Sequence, residues 1–216
     1  AKSYDGVILT HAHIDHSGRI PLLTKDGFSG RIITTRPTKD ALDYMLLDSG
    51  HIQESDARYL NYKMARSLLS EFKGSSREKS RSAKKMKTIQ KTLKKERGEL
   101  NTDAINEVNQ KYHLKSVLPL YTVDDAQHAL SFFDGIPYRS SVTVGKNMQC
   151  MFYDAGHILG SAISIIRINV NGKSFNVGFT GDIGRFDKPI LKNPTMDFDE
   201  ADRNIELLIM ESTYGD

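Results

Sequence analysis

Apolar and polar positions follow two periods along this chain. Residues 5–10 are a short apolar run expected as a buried strand, which leads straight into His11-Ala12-His13-Ile14-Asp15-His16-Ser17-Gly18. A short helix closed near Gly27 follows, then a strand over residues 31–34. Pro37, with its fixed φ, suits the first turn of a helix. From there to Phe72, apolar residues such as Leu42, Met45, Leu46, Tyr59, Tyr62 and Leu68 fall at helical spacing, and Ser49-Gly50 is expected to split the stretch into two helices. Residues 124–133 give another helix, capped by Thr122. After Gly135 the period becomes two. Strands are expected over residues 138–144, 148–153, 163–170 and 175–179, with Asn171-Gly172 as the hairpin turn between the last two. Residues 205–210 read as one more buried strand, ending at Glu211. No repeat is visible, and the order of elements predicts an α/β protein of the α+β type, its sheets covered by helices.

Composition narrows this only slightly. With 216 residues, 38% apolar and 26% charged, the chain has an ordinary globular balance. No apolar run approaches the roughly 18 residues of a membrane span, so no membrane partner is expected. Residues 1–5 lack an apolar signal core, and the lone Cys150 excludes both an internal disulfide and a multi-cysteine zinc site. A reducing, cytoplasmic setting is therefore expected. Charge is more telling. The net is +3, but residues 73–97 alone carry +9, which leaves −6 for the rest. Residues 73–115 read as an exposed basic helical insert with a flexible Gly74-Ser75-Ser76 entry. Its cations, Lys84, Lys85, Lys87 and Lys91 among them, form either a solvated face or an arm that touches nucleic-acid phosphates without reading bases.

The candidate chemistry sits elsewhere. In an extended segment, side chains two apart share a side, so His11 and His13 can converge on one ion. Asp15 and His16 then turn away together toward a second. Imidazole with carboxylate suits zinc, with manganese or iron as alternatives. His157, between Gly156 and Gly160 at a strand end, is by itself the pattern of a structural or merely exposed histidine, and Asp182 by itself that of a turn residue. Together they change the reading: three histidines on one metal leave an open coordination position, and a shared carboxylate holds two metals close.

The motif His11-Ala12-His13-Ile14-Asp15-His16-Ser17-Gly18 resembles the signature of the metallo-β-lactamase fold, an αββα sandwich. Gly156-His157-Ile158-Leu159-Gly160-Ser161-Ala162, Phe179-Thr180-Gly181-Asp182 and Glu211-Ser212-Thr213-Tyr214-Gly215 are similar to motifs of its β-CASP branch, which contains RNA-processing nucleases. The resemblance covers roughly residues 5–66 and 116–216. It implies that His11, His13 and His157 bind one zinc, that Asp15 and His16 bind another, and that Asp182 bridges them. It also implies that Glu211 works with a histidine of a second domain near the leaving group. The family has strands before residue 5, and its second domain and a further histidine ligand come after the Glu211 motif. The chain is thus expected to be an internal, partial metallo-β-lactamase-like domain. Residues 211–216 would be the junction to an absent β-CASP domain, and turnover by this chain alone would be poor.

The implied activity is zinc-dependent cleavage of RNA, most simply single-stranded, by attack of a metal-bound hydroxide on phosphorus. Asp15, Asp182 and Glu211 would be the catalytic carboxylates. A DNA-directed nuclease, a non-catalytic nucleic-acid-binding subunit and a thioester or lactam hydrolase are the alternatives, and the intact ligand set weighs against the subunit. If the insert touches phosphates, replacing Lys84, Lys85, Lys87 and Lys91 with Gln weakens RNA binding and flattens its log–log salt dependence by about 0.7 for each phosphate left unneutralised. Titrations across ionic strength would measure this, and an unchanged slope would make the segment a solvated face.

Overall fold

The computed structural model describes residues 1–71, 88–95 and 98–213. Its elements in chain order begin with β1 (Gly6–Ile8), α1 (Ile14–Ser17), α2 (Ile20–Lys25), β2 (Arg31–Thr35), α3 (Arg36–Glu71) and α4 (Thr102–Lys111). After these come α5 (Val123–Leu130), β3 (Phe133–Ile136), β4 (Val142–Gly145), β5 (Met148–Asp154), β6 (Ala162–Val170), β7 (Lys173–Phe179) and β8 (Leu207–Ile209). The chain divides into two compact units, one of Ala1–Ser49 with Val123–Asp216, the other Gly50–Thr122. Sheets and helices mix as expected, and the arrangement is consistent with an α+β, metallo-β-lactamase-like fold. Among the described residues, no helix is long and apolar enough to cross a membrane.

In the first unit, β1, β2 and β3 form a parallel sheet and β4 to β8 a five-stranded one, antiparallel except for the β7–β8 pair. Alternation along the strands decides what lies between them. Ile8, Ile33 and Ile136 of the small sheet pack against Cys150, Phe152, Ala162 and Ile166 of the large one. Cys150 is thus a small core residue, its thiol pushed up to about 12 by burial. Ile32, on the other face of β2, is equally buried, and α2 packs against α5. Tyr153, Ile163 and Ile165 point to the outer face of the large sheet, where Phe198 and Ile205 cover them. Among the described residues that cover is a loop with one 3-10 turn, Glu200–Asp202, rather than an α-helix.

The structure departs from the expected elements at several places. Ser49-Gly50 does not break the helix: α3 runs on for 36 residues, since an interior glycine costs about 1 kcal/mol but does not by itself end a helix. The chain instead changes unit at that point. β3 is a strand the pattern did not reveal, because Phe133-Asp134-Gly135-Ile136 is too short and too mixed to show a period. The strand expected from residue 138 begins at Val142, after Arg139 adopts φ 54°. The last strand is not buried: as the edge of its sheet, β8 leaves Leu207, Leu208 and Ile209 47–53% exposed. By contrast, Asn171 and Gly172 have φ 50° and 77°, both positive as a two-residue hairpin turn requires.

The second unit starts earlier than the insert expected at 73–115. Tyr62, Ala65 and Leu69 of α3 bury a stripe against Leu93, Ile105 and Val108. Leu93 is fully buried, so that part of the segment is core rather than exposed basic helix. Asn61 closes the unit with two 2.8 Å hydrogen bonds to the backbone of Val117. Lys84, Lys85 and Lys87 lie outside the described residues, and Lys91 is exposed in a helical turn over residues 88–92.

One polar knot stiffens the outer face of the large sheet. Asp202, 1% exposed, accepts from the Tyr153 hydroxyl at 2.6 Å and pairs with Arg167 at 2.5 Å. Removing one member of a buried pair strands the others. Asp202→Ala should therefore lower unfolding free energy by about 3 kcal/mol, against at most about 1 kcal/mol for Arg203→Ala in an exposed pair. Urea titration checks this, and equal losses would show that the knot is unimportant.

Candidate metal centre

Three loop segments meet at one end of the two sheets. The first leaves β1, where Thr34 Oγ1 donates to the Leu9 carbonyl at 2.8 Å and Ala162 N to the Thr10 carbonyl at 2.8 Å. After His11 and His13 the chain turns into α1, held by the buried Ser17 hydroxyl on the carbonyls of Ala12 and His13 (2.9 and 3.0 Å). That turn brings His16, with Asp15 beside it, to the second oxygen of Asp182, so residues crowded together in sequence form two adjoining sets in space.

The second segment carries His157. Its base is the Gly160 carbonyl, which accepts from Thr35 Oγ1 at 2.6 Å and from Thr38 Oγ1 at 2.8 Å. Gly160 has φ +88°, and a Cβ there would come within 2.5 Å of Thr38 N, so only glycine fits. The Ser161 hydroxyl accepts from the His157 and Ile158 amides. The third segment carries Asp182. Gly184 N donates to the Ala155 carbonyl at 2.8 Å, and a Cβ on Gly184 would collide with the Gly156 carbonyl. The His157 and Asp182 loops touch backbone to backbone because Gly184 has no side chain.

Four side chains then converge. His11, His13, His157 and Asp182 each present one donor atom, all within 4.8 Å of one another. His157 Nε2 lies 3.0 Å from His13 Nδ1, while Asp182 Oδ2 is 3.5 Å from His157 Nε2 and 3.7 Å from His11 Nε2. The other carboxylate oxygen, Oδ1, faces His16 Nε2 at 3.4 Å, and His16 Nε2 lies 3.6 Å from Asp15 Oδ2. The sequence-derived candidates thus fall into two adjoining sets with Asp182 between them.

The donor chemistry fits a metal ion. His11 is fully buried, its Nδ1 lies 3.1 Å from Thr10 Oγ1, and its Nε2 has no hydrogen-bond partner. A buried ring nitrogen aimed at three other donors, with the opposite nitrogen engaged, is the arrangement of a metal-binding imidazole. Burial, aided by His16 and opposed by Asp182, holds the His11 pKa down to about 4, so the ring is neutral as a ligand must be. The His157 pKa is also lowered, first by burial and then by His13.

Glu211 follows β8, and both its oxygens are used. Ile183 N donates to Oε1 at 2.6 Å and Thr213 Oγ1 to Oε2 at 2.7 Å, which keeps its carboxyl below the ordinary carboxylate range. It is an anion that fastens the Asp182 loop to the end of β8. The sequence did not disclose this tie, the Thr35–Thr38 clamp or the close approach at Gly184, because each joins residues distant in the chain.

The chain is similar to proteins named transcription termination factor FttA. It is 26% identical to the one from Methanosarcina mazei over 211 residues, 98% of this chain and 23% of the relative. Identity is 25% over 214 residues with that of Methanocaldococcus jannaschii, 99% of this chain and 24% of the relative. With that of Methanococcus maripaludis it is 27% over 215 residues, again 99% and 24%. The chain therefore spans about a quarter of the length of these relatives. No protein-family model matches it.

If the four donors share an ion, His13→Ala and His157→Ala should each remove most of the bound zinc, whereas His51→Ala and His128→Ala leave it unchanged. Metal analysis after dialysis decides this, and equal retention by all four would reject the site. Acidity acts in the same direction. The folded His11 pKa lies below its unfolded value of 6.5, so between about pH 6.5 and 4 the unfolded chain binds more protons than the native one. The metal-free protein should lose stability as pH falls through that window and show no further loss from His11 below it.

Proposed function

We propose that the protein is a zinc-dependent phosphodiesterase acting on RNA. The observation that carries the reading is the division of one carboxylate between two donor sets, with Asp182 Oδ2 toward His11 and His157 and Oδ1 toward His16. Zinc held there would lower the pKa of a water, polarise the phosphoryl group and neutralise the charge of the displacement. His11, His13, His157 and Asp182 would hold one ion, and Asp15, His16 and Asp182 the other.

The remaining work falls to the protein. Asp182 sets the spacing of the two sets, and Thr10 fixes the His11 ring through Nδ1. Glu211, kept anionic, can accept a hydrogen bond and orient a group near the leaving side. Orientation suits a carboxylate of lowered pKa, and protonation of the leaving group does not. The substrate class rests on the resemblance to β-CASP nucleases and on the relatives' names, since transcription termination is an event in which RNA is the product.

Single-turnover cleavage of end-labelled RNA by the zinc-loaded, full-length protein tests this, with DNA of the same sequence and a thioester as comparisons. RNA should be cut, and Asp182→Asn should slow the chemical step by at least about a hundredfold, the scale on which small displacements of reacting groups act. RNA left intact beside a hydrolysed thioester or DNA would overturn the assignment.

A further inference from the structure

The cleft beside the metal centre holds about 810 Å³ and extends along the loop that follows Asp182. His157, Asp182 and Glu211 line it, and so do two cations, Arg185 and Lys188. A guanidinium and an ammonium are donors without lone pairs to offer, so neither belongs to the ligand set. Lys188 is half-buried and lines the same cleft as His157.

The loop that bears these cations is anchored along its length. Ile183 N is bound to Glu211, Gly184 N to the Ala155 carbonyl, and Asp187 N to Asn193 Oδ1 at 2.7 Å. An anchored loop brings both side chains to one rim of the cleft, so the backbone beneath them needs little ordering on binding. Two cations beside a metal cleft favour a substrate that carries charge beyond the reacting group, as a nucleic-acid strand does at every step. An arginine fork matches two phosphate oxygens, and a lysine supplies a point charge.

We propose that Arg185 and Lys188 form a phosphate-binding lip that holds a backbone phosphate of the nucleic-acid strand next to the one being cleaved. This rests on the nuclease reading. The lip is distinct from the basic segment at residues 73–97: it adds affinity at the scissile position and fixes the strand's register across the metal centre.

The test uses the zinc-loaded, full-length protein and the variants Arg185→Gln, Lys188→Gln, their combination, and Lys173→Gln on the distant hairpin as control. Anisotropy with a labelled single-stranded phosphorothioate RNA, which keeps the charge and resists cleavage, gives affinity against salt. Each single change should weaken binding roughly threefold to tenfold and reduce the log–log salt slope by about 0.7, with Lys173→Gln at wild-type values. In turnover, KM for RNA should rise more than kcat falls. Hydrolysis of bis(p-nitrophenyl) phosphate, which has no neighbouring phosphate, should stay at the wild-type rate, and zinc content should be unchanged. Wild-type affinity and slope in the double variant would overturn the lip even if RNA is cut. RNA bound with the expected slopes but never cut would refute the nuclease reading and leave the lip standing.

Discussion

Four imidazoles crowd around one carboxylate at the end of these sheets, and most of the local structure answers to that crowding. The ring centroids of His11 lie 4.1 to 5.2 Å from those of His13, His16 and His157. Burial disfavours the cation at His11 and His157, and neighbouring imidazoles act in the same direction. Both rings are accordingly held below the ordinary imidazole pKa, first by burial, and a neutral ring is the form that binds a metal. The buried, unpartnered His11 Nε2 is a polar atom whose burial is costly unless something outside the polypeptide satisfies it.

The fold holds this arrangement with hydrogen bonds to the backbone of the ligand-bearing loops. The β1 exit, the β5–β6 connection and the β7 exit each contribute one ligand loop. Each loop is pinned: the first by the Ser17 hydroxyl on Ala12 and His13, the second by the Thr35 and Thr38 hydroxyls on Gly160, and the third by the Gly184 amide on Ala155 and by Glu211 on Ile183. Strand pairing between β5, β6 and β7 sets the distance between the last two loops, so register in the large sheet becomes ligand geometry.

Legibility in the sequence followed the range of the interactions involved. The strands expected over residues 148–153, 163–170 and 175–179, and the Asn171-Gly172 turn, were readable to within two residues because each is a local pattern. The candidate ligands stood out because His11, His13, Asp15 and His16 are chemically unusual in so short a span, and the resemblance then tied His157 and Asp182 to them. Edge exposure of β8 was not readable: an apolar triplet looks the same whether or not a neighbour covers it. The continuity of α3 through Gly50 was also hidden, since whether a glycine ends a helix depends on packing beyond the local pattern. Tertiary ties such as Glu211 to Ile183 leave no trace at either position. Arg185 and Lys188 stood beside the Asp182 motif, but their place in the cleft came only with the loop's path.

The central claim is that Asp182 stands between two metal positions built from this chain's own residues. An anomalous difference map at the zinc edge, from crystals of the zinc-loaded protein, tests it most directly. The account predicts a strong peak among His11, His13, His157 and Asp182 Oδ2, and a second against Asp15, His16 and Asp182 Oδ1. Zinc bound elsewhere, with no peak at the four-donor cluster, would contradict it.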